Sequence, residues 1–369
     1  MKYVPKWRLW EIDLNRRKKF RKKISRCCLK RSRLVNESRF SIHKGHDRHK
    51  RIVVPSDFSL SNNYEGVVKL LLEIRNALQN YTNKKPFNID LSKVSNIQPA
   101  AALALAAELD RGRRKHNISL QATYASSWKP HVFCLLDDLG LFKILEIKDS
   151  RLARLRIKYR KKLSDNEFGT LLKFVSSSTN NKSETDKLAI EIRKKVPLFS
   201  ELLEKSEGLE IVASLAEASL NSIDHAYDFI SGENTNSSEK RWWAVAAYKN
   251  DLTEIRFLLY DLGVGIARTM LKTKRGKIVL EWMAKNGYIM GGESKVIEAV
   301  LKAPRSSTLK EERGKGLKQI TDAITGVNGF LKIVSGKGEV EVDNQGIRSK
   351  RDKAISLGGT LIEWRVPME

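Results

Sequence analysis

Apolar positions recur every three or four residues through Leu209, Val212, Leu215, Leu220 and Ile223, which predicts an amphipathic helix over 207–230. Ile255, Phe257, Leu258, Leu259 and Tyr260 form a continuous apolar run that stops abruptly at Asp261, the pattern of a buried strand. With 242–248 and a polar turn at 249–251 it predicts an antiparallel hairpin. Residues 361–366 alternate as a last strand, and Leu317, Ile320, Ala323, Ile324 and Val327 mark a helix. A helical segment is also expected over 186–204.

Upstream, the pattern alternates between the two periods: strand 52–54, helix 65–80, strand 87–91, Ala-rich helix 100–111, strand 118–122 and a helix near 128–136. That alternation predicts a layered α/β unit with some parallel pairing. Pro99 is a natural first residue for the Ala-rich helix. Residues 151–185, ending in the Ser/Thr/Asn-rich stretch 176–183, read as a connector. The expected organisation is an arm over 1–51, an α/β domain over 52–150, a connector over 151–185 and a second α/β domain over 186–369. No internal repeat is visible.

Charge changes the picture at one end. The 369 residues carry a formal net charge of +26, and residues 1–51 hold +15 of it, with 19 Lys or Arg against 4 Asp or Glu. Trp7, Trp10 and Phe20 are interleaved with this basic run, so the arm suits phosphates of nucleic acid with stacking on bases. An anionic lipid surface and an acidic protein partner are the competing readings. His43, His46 and His49, downstream of Cys27 and Cys28, fit no structural zinc spacing. Three cysteines with no secretory leader pattern point to the cytoplasm. No apolar stretch approaches the ~20 residues of a membrane span.

Four short motifs carry candidate chemistry. Glu217, Asn221 and Asp224, followed by His225, share one helix face. A carboxylate and an amide oxygen one turn apart can orient a nucleophile and complete the shell of a magnesium ion. Asp261-x-Gly263-x-Gly265 places a hydrogen-bond-accepting carboxylate at a strand end beside glycines that admit close backbone approach. Arg313-Gly314-Lys315-Gly316-Leu317 precedes a helix whose first amides suit phosphate. Its spacing matches neither the P-loop nor the dinucleotide fingerprint. Gly358-Gly359-Thr360 opens the last strand and adds a hydroxyl. Taken singly, each motif is as readily a solvated helix face or a tight turn.

In this order and spacing, the motifs of residues 185–369 resemble the GHKL ATPase superfamily of gyrase-type ATPases, histidine kinases and anti-sigma-factor kinases. The resemblance implies a Bergerat-type α/β sandwich with a mixed sheet, and ATP with Mg2+ as cofactors. It assigns Glu217 to activation of the attacking water or hydroxyl, Asn221 to magnesium and Asp261 to the adenine amine. Gly263 and Gly265 would line the base pocket, Gly314 and Gly316 would belong to a mobile lid, and Thr360 would touch the base. Asp224 and His225 match the polar end of the first box. Arg305, Lys310, Arg313 and Lys315 are candidate phosphate contacts, with Leu317 opening the helix behind them. Lys315 and Lys318 stand where many relatives carry small residues.

The stretch 89–103 is similar to the strand, loop and helix of STAS domains, the fold of anti-sigma-factor antagonists. Gln98, Pro99, Ala100 and Ala101 occupy the junction where phosphorylated members carry a serine. The expectation is therefore a docking or dimerising module beside an ATP-hydrolysing switch whose nucleotide-dependent lid closure controls binding of a protein partner, with a homodimer as a further expectation. A serine/threonine protein kinase and a nucleic-acid-binding module with ATP as structural ligand are the alternatives.

Overall fold

The computed structural model describes residues 51–80, 87–145, 147–160, 168–178, 190, 206–227, 240–249, 253–270, 273–288, 291–303 and 316–368. The arm before residue 51 lies outside them, with its cysteines, histidines and expected nucleic-acid contacts. So does all of 186–204 except residue 190.

The architecture is mixed α/β. In the amino-terminal unit, β1 (Arg51–Val53), β3 (Phe87–Asp90) and β5 (Leu120–Thr123) form a parallel sheet in the order β1-β3-β5. A second parallel pair joins β2 (Asp57–Phe58) to β4 (Asn96–Ile97). Parallel strands need crossovers, and α1 (Tyr64–Gln79) and α2 (Pro99–His116) supply them. Helix α2 starts at Pro99 after an extended Gln98 and is followed by Asn117 in the left-handed region at φ 48°. Its residues from Pro99 to Asp110 are all buried, as expected of a helix covered all round. Helices α3 (Pro130–Asp138) and α4 (Asp149–Arg160) complete the unit.

The larger sheet contains β6 (Phe168–Ser177), β7 (Trp242–Lys249), β8 (Glu254–Asp261), β9 (Phe330–Ser335), β10 (Gly338–Asp343), β11 (Gly346–Asp352) and β12 (Thr360–Pro367), ordered β11-β10-β9-β12-β8-β7-β6. The expected mixed sheet is corrected here, because every pairing among these strands is antiparallel. Strands β8 and β9 run in the same direction, but β12 inserts between them and converts a parallel pair into two antiparallel ones. The stretch read as a connector holds most of α4 and all of β6, which is an edge strand of this sheet. In α4, Leu152, Leu155 and Tyr159 are buried at helical spacing, and Arg156 grips Asp137 through both carboxylate oxygens at 2.7 to 3.1 Å.

Helices α5 (Ser206–His225) and α9 (Gly316–Gly326) pack together on one face of the sheet. Between β8 and α9 the chain folds α6 (Ile266–Met270), α7 (Lys274–Lys285) and α8 (Glu293–Lys302) around a small core of Val279, Met283, Val296 and Val300. The other face is covered as well. Trp243, Val245, Leu258, Tyr260, Val334 and Leu361 share one continuous core with the amino-terminal unit, whereas Trp242, Ala244, Phe257, Leu259, Ile333 and Trp364 face the helices. A sheet buried on both faces loses the polar alternation of a one-sided antiparallel sheet, which explains the unbroken apolar run of β7. Helix α2 packs on β7 and β8, where Trp243 Nε1 donates to Asp110 Oδ2 at 3.0 Å. Among the described residues, no helix is long and apolar enough to cross a membrane.

Candidate functional site

Strand pairing builds the centre of the site. Asp261 ends β8 and lies opposite Thr360, the first residue of β12, which in turn lies opposite Ser335 at the end of β9. All three are buried. Asp261 Oδ1 accepts from the backbone N–H of Gly263 at 2.9 Å and of Thr360 at 3.2 Å. Oδ2 lies 3.2 Å from the hydroxyl of Ser222, which reaches across from α5. The Thr360 and Ser335 hydroxyls are 2.9 Å apart, and Ser335 also accepts from the N–H of Ile266 at 2.8 Å. Burial pushes the Asp261 carboxyl up to about 6, with the bonds from Gly263, Ser222 and Thr360 pulling the other way. An ionised carboxylate offers about four lone-pair positions, so three partners leave capacity for one more donor.

Tyr227 ties the turn after β8 to the end of α5. Its hydroxyl accepts from the Leu262 N–H at 3.0 Å and donates to the Arg241 carbonyl. Burial and the nearby Asp261 hold this phenol above its usual range.

The glycines are required by packing of the chain on itself. A Cβ on Gly263 would stand 2.4 Å from the Ala226 carbonyl oxygen, and that carbonyl accepts from the Val264 N–H at 2.8 Å. The bare side of Gly263 therefore faces the end of α5. Gly265 has φ +83° with Ser335 Oγ 3.1 Å from its missing Cβ. Gly359, at φ +128°, would place a Cβ 1.9 Å from the Asp261 carbonyl oxygen.

Glu217 and Asn221 are half-buried on α5, with Asn221 Nδ2 3.4 Å from Glu217 Oε1. Ser222, the next residue after Asn221, is the α5 side chain that reaches Asp261. Asp224 and His225 are exposed at the end of α5, where the His225 carbonyl accepts from the Thr269 hydroxyl at 3.4 Å. Arg313, Gly314 and Lys315 lie outside the described residues, as do Arg305 and Lys310. Gly316 is the first residue of α9, and Leu317 is a packing residue, partly buried against two hydrophobic cores.

Sequence reasoning missed Ser222, Ser335 and Tyr227. Ser222 follows Asn221 directly and sits four residues after Ala218 on the buried stripe of α5, a position where a hydroxyl needs a partner. That was the available signal. Ser335 and Tyr227 become visible only once strand register is known. Comparison with protein-family models gives no match, and comparison with curated proteins gives none either.

Proposed function

We propose that the chain binds ATP with Mg2+ at the junction of α5, β8 and β12 and works as an ATP-hydrolysing switch of GHKL type. The observation that carries this reading is the Asp261 carboxylate. It ends an interior strand, is buried, is oriented by Gly263, Thr360 and Ser222, and retains acceptor capacity. A fixed acceptor with two backbone amides behind it suits the exocyclic amine of a purine, and the Thr360 hydroxyl stands beside it.

The donor set fits the rest of the ligand. Asn221 supplies an uncharged oxygen for the metal that the triphosphate brings, and Glu217 a carboxylate to take a proton from the attacking water. Base-directed groups thus stand at the ends of β8 and β12, and phosphate-directed groups on α5. Bound ATP supplies the transferable phosphoryl group. The chain would position it, and Glu217 would receive the proton of the water that attacks the phosphoryl group as ADP leaves. As a switch, it draws its energy from a difference in nucleotide affinity between two states of the protein.

Calorimetric titration of the purified chain with Mg-ATP tests the proposal. Saturable one-site binding is expected, with loss of at least tenfold in Asp261→Asn, whose amide puts a donor where an acceptor is needed. Absence of binding to the wild-type chain, or equal affinity in the variant, rejects the site. Labelled ATP with a cell extract separates a switch that releases free phosphate from a kinase that labels a protein.

A further inference from the structure

A second set of contacts reaches the same turn from the opposite face of the sheet. Arg75 of α1 is held by Glu108 of α2, its Nε donating to Glu108 Oε1 at 3.0 Å. The Glu108 side chain is fully buried and also takes a bond from Arg111 at 2.9 Å. From that anchorage, Arg75 Nη2 lies 3.5 Å from the Gly358 carbonyl oxygen, the outer limit of a hydrogen bond. The Tyr260 hydroxyl donates to the same carbonyl at 3.2 Å. A Cβ on Gly358 would stand 2.6 Å from Arg75 Nη1, so the guanidinium fills the space beside that glycine. One residue later comes Gly359, and the next N–H, that of Thr360, orients Asp261.

The neighbouring turn residues are pinned from the same side. The Tyr64 hydroxyl of α1 donates to the Ile355 carbonyl at 3.2 Å, and the Lys353 ammonium stands 4.8 Å from the Tyr64 ring centre. Two adjacent glycines at φ +75° and +128° give this turn little stiffness of its own. It is held from two sides: within the large-sheet unit Leu357 N–H donates to the Gly336 carbonyl at 2.9 Å and Gly336 N–H to the Gly359 carbonyl at 3.0 Å, and Arg75 and Tyr64 add the hold of the amino-terminal unit.

We infer that the amino-terminal α/β unit is part of the nucleotide site: Arg75, braced by Glu108, is a positioning residue for the Gly358-Gly359-Thr360 turn, and docking of that unit sets nucleotide affinity. The inference rests on the nucleotide reading above and adds its regulation. Linkage makes the effect reciprocal, so nucleotide tightens the docking and anything that draws α1 and α2 off the sheet releases nucleotide. The bland alternative is a buried ion pair that only holds two units together. The two differ in where the consequence appears.

The test uses the full chain with Mg-ATP and Mg-ADP in parallel titrations, and amide exchange with and without nucleotide. Arg75→Ala is expected to weaken both nucleotides at least tenfold with their affinity ratio unchanged, because the contact serves the base end and not the phosphates. Arg75→Lys should recover part of the loss. In the wild type, Mg-ATP should slow exchange within 64–79 and 99–116. Should Arg75→Ala fail to fold, the paired variant Arg75→Met with Glu108→Gln removes both charges together and carries the same expectation. Wild-type affinity in the Arg75 variants, a changed ATP-to-ADP ratio, or unmoved exchange in α1 and α2 overturns the inference while leaving the nucleotide site standing. Failure of the wild-type chain to bind nucleotide overturns both.

Discussion

The Ser222 hydroxyl lies 3.2 Å from Asp261 Oδ2 and 3.0 Å from the Ala218 carbonyl, so one proton serves two acceptors while Asp261 is ionised. Protonation of Asp261 resolves the conflict. The carboxylic acid then donates to Ser222, and Ser222 donates to Ala218. Burial is what raises the carboxyl to about 6, and the Ser222 hydroxyl pulls it the other way. A ligand amine offered to Asp261 likewise favours the ionised form.

The first prediction concerns pH and stability. The unfolded carboxyl titrates near 3.8 and the folded one near 6, so between these values the native state binds more protons. The contribution is full below the unfolded value and is lost as pH rises through about 6. By the pKa-to-energy conversion it is worth at most ~3 kcal/mol. Urea unfolding at pH 4.5 and 7.5 should show the wild type losing stability relative to Asp261→Asn as pH rises. A difference between the two proteins that does not depend on pH defeats this account. Ser222→Ala should raise the carboxyl further and steepen the dependence.

The second prediction concerns the turn before β12. Alanine at Gly359 would enter a φ of +128° and meet the Asp261 carbonyl, whereas alanine at Gly346, φ +108°, meets nothing within 4 Å. Backbone strain of order 1–3 kcal/mol is shared by both substitutions, and the clash belongs to Gly359 alone. Gly359→Ala should therefore destabilise the chain by clearly more than Gly346→Ala, as read from thermal midpoints.

Much of this architecture was legible in the residues. The apolar run closed by Asp261 gave the strand and its end, and Pro99 gave the start of α2, because interior strands and helix first turns leave strong local signals. The direction of strand pairing was not legible. Whether β8 and β9 touch depends on β12, which is distant in sequence and adds no local mark to either. The role of β6 was hidden for a related reason: an edge strand among Ser, Thr and Lys looks like a linker until its partner β7 is known. At the site, Asp261 and Thr360 announced themselves by motif, whereas Ser222 and Arg75 act through contacts that only the packed sheet creates.

The third prediction follows from the shared core. Trp243 belongs to β7 yet packs among residues of the amino-terminal unit and donates to the buried Asp110, which also holds Arg114 at 2.9 Å. Trp243→Phe keeps most of the apolar area and removes one charge-assisted hydrogen bond, worth about 1.5–3 kcal/mol. Because the core is continuous, the loss should lower a single unfolding transition. Two separated transitions in the wild-type protein would show instead that the units are energetically independent.

The fourth prediction separates binding from turnover. Glu217 is half-buried on α5, and its carboxylate stands 3.4 Å from Asn221 Nδ2, a polar contact that Gln preserves in shape and removes in charge. Asp261, by contrast, engages no part of Glu217 directly and is oriented by Gly263, Thr360 and Ser222. Loss of a general base reduces the chemical step by about 10²–10⁴ and leaves ground-state binding nearly intact. Glu217→Gln should then bind Mg-ATP within about threefold of wild type, as a uniform binding contribution would allow, while phosphate release falls at least a hundredfold. Parallel titration and phosphate-release assays read the two quantities on the same preparation. Turnover retained in Glu217→Gln would assign proton transfer elsewhere, and affinity lost together with turnover would make Glu217 a binding residue.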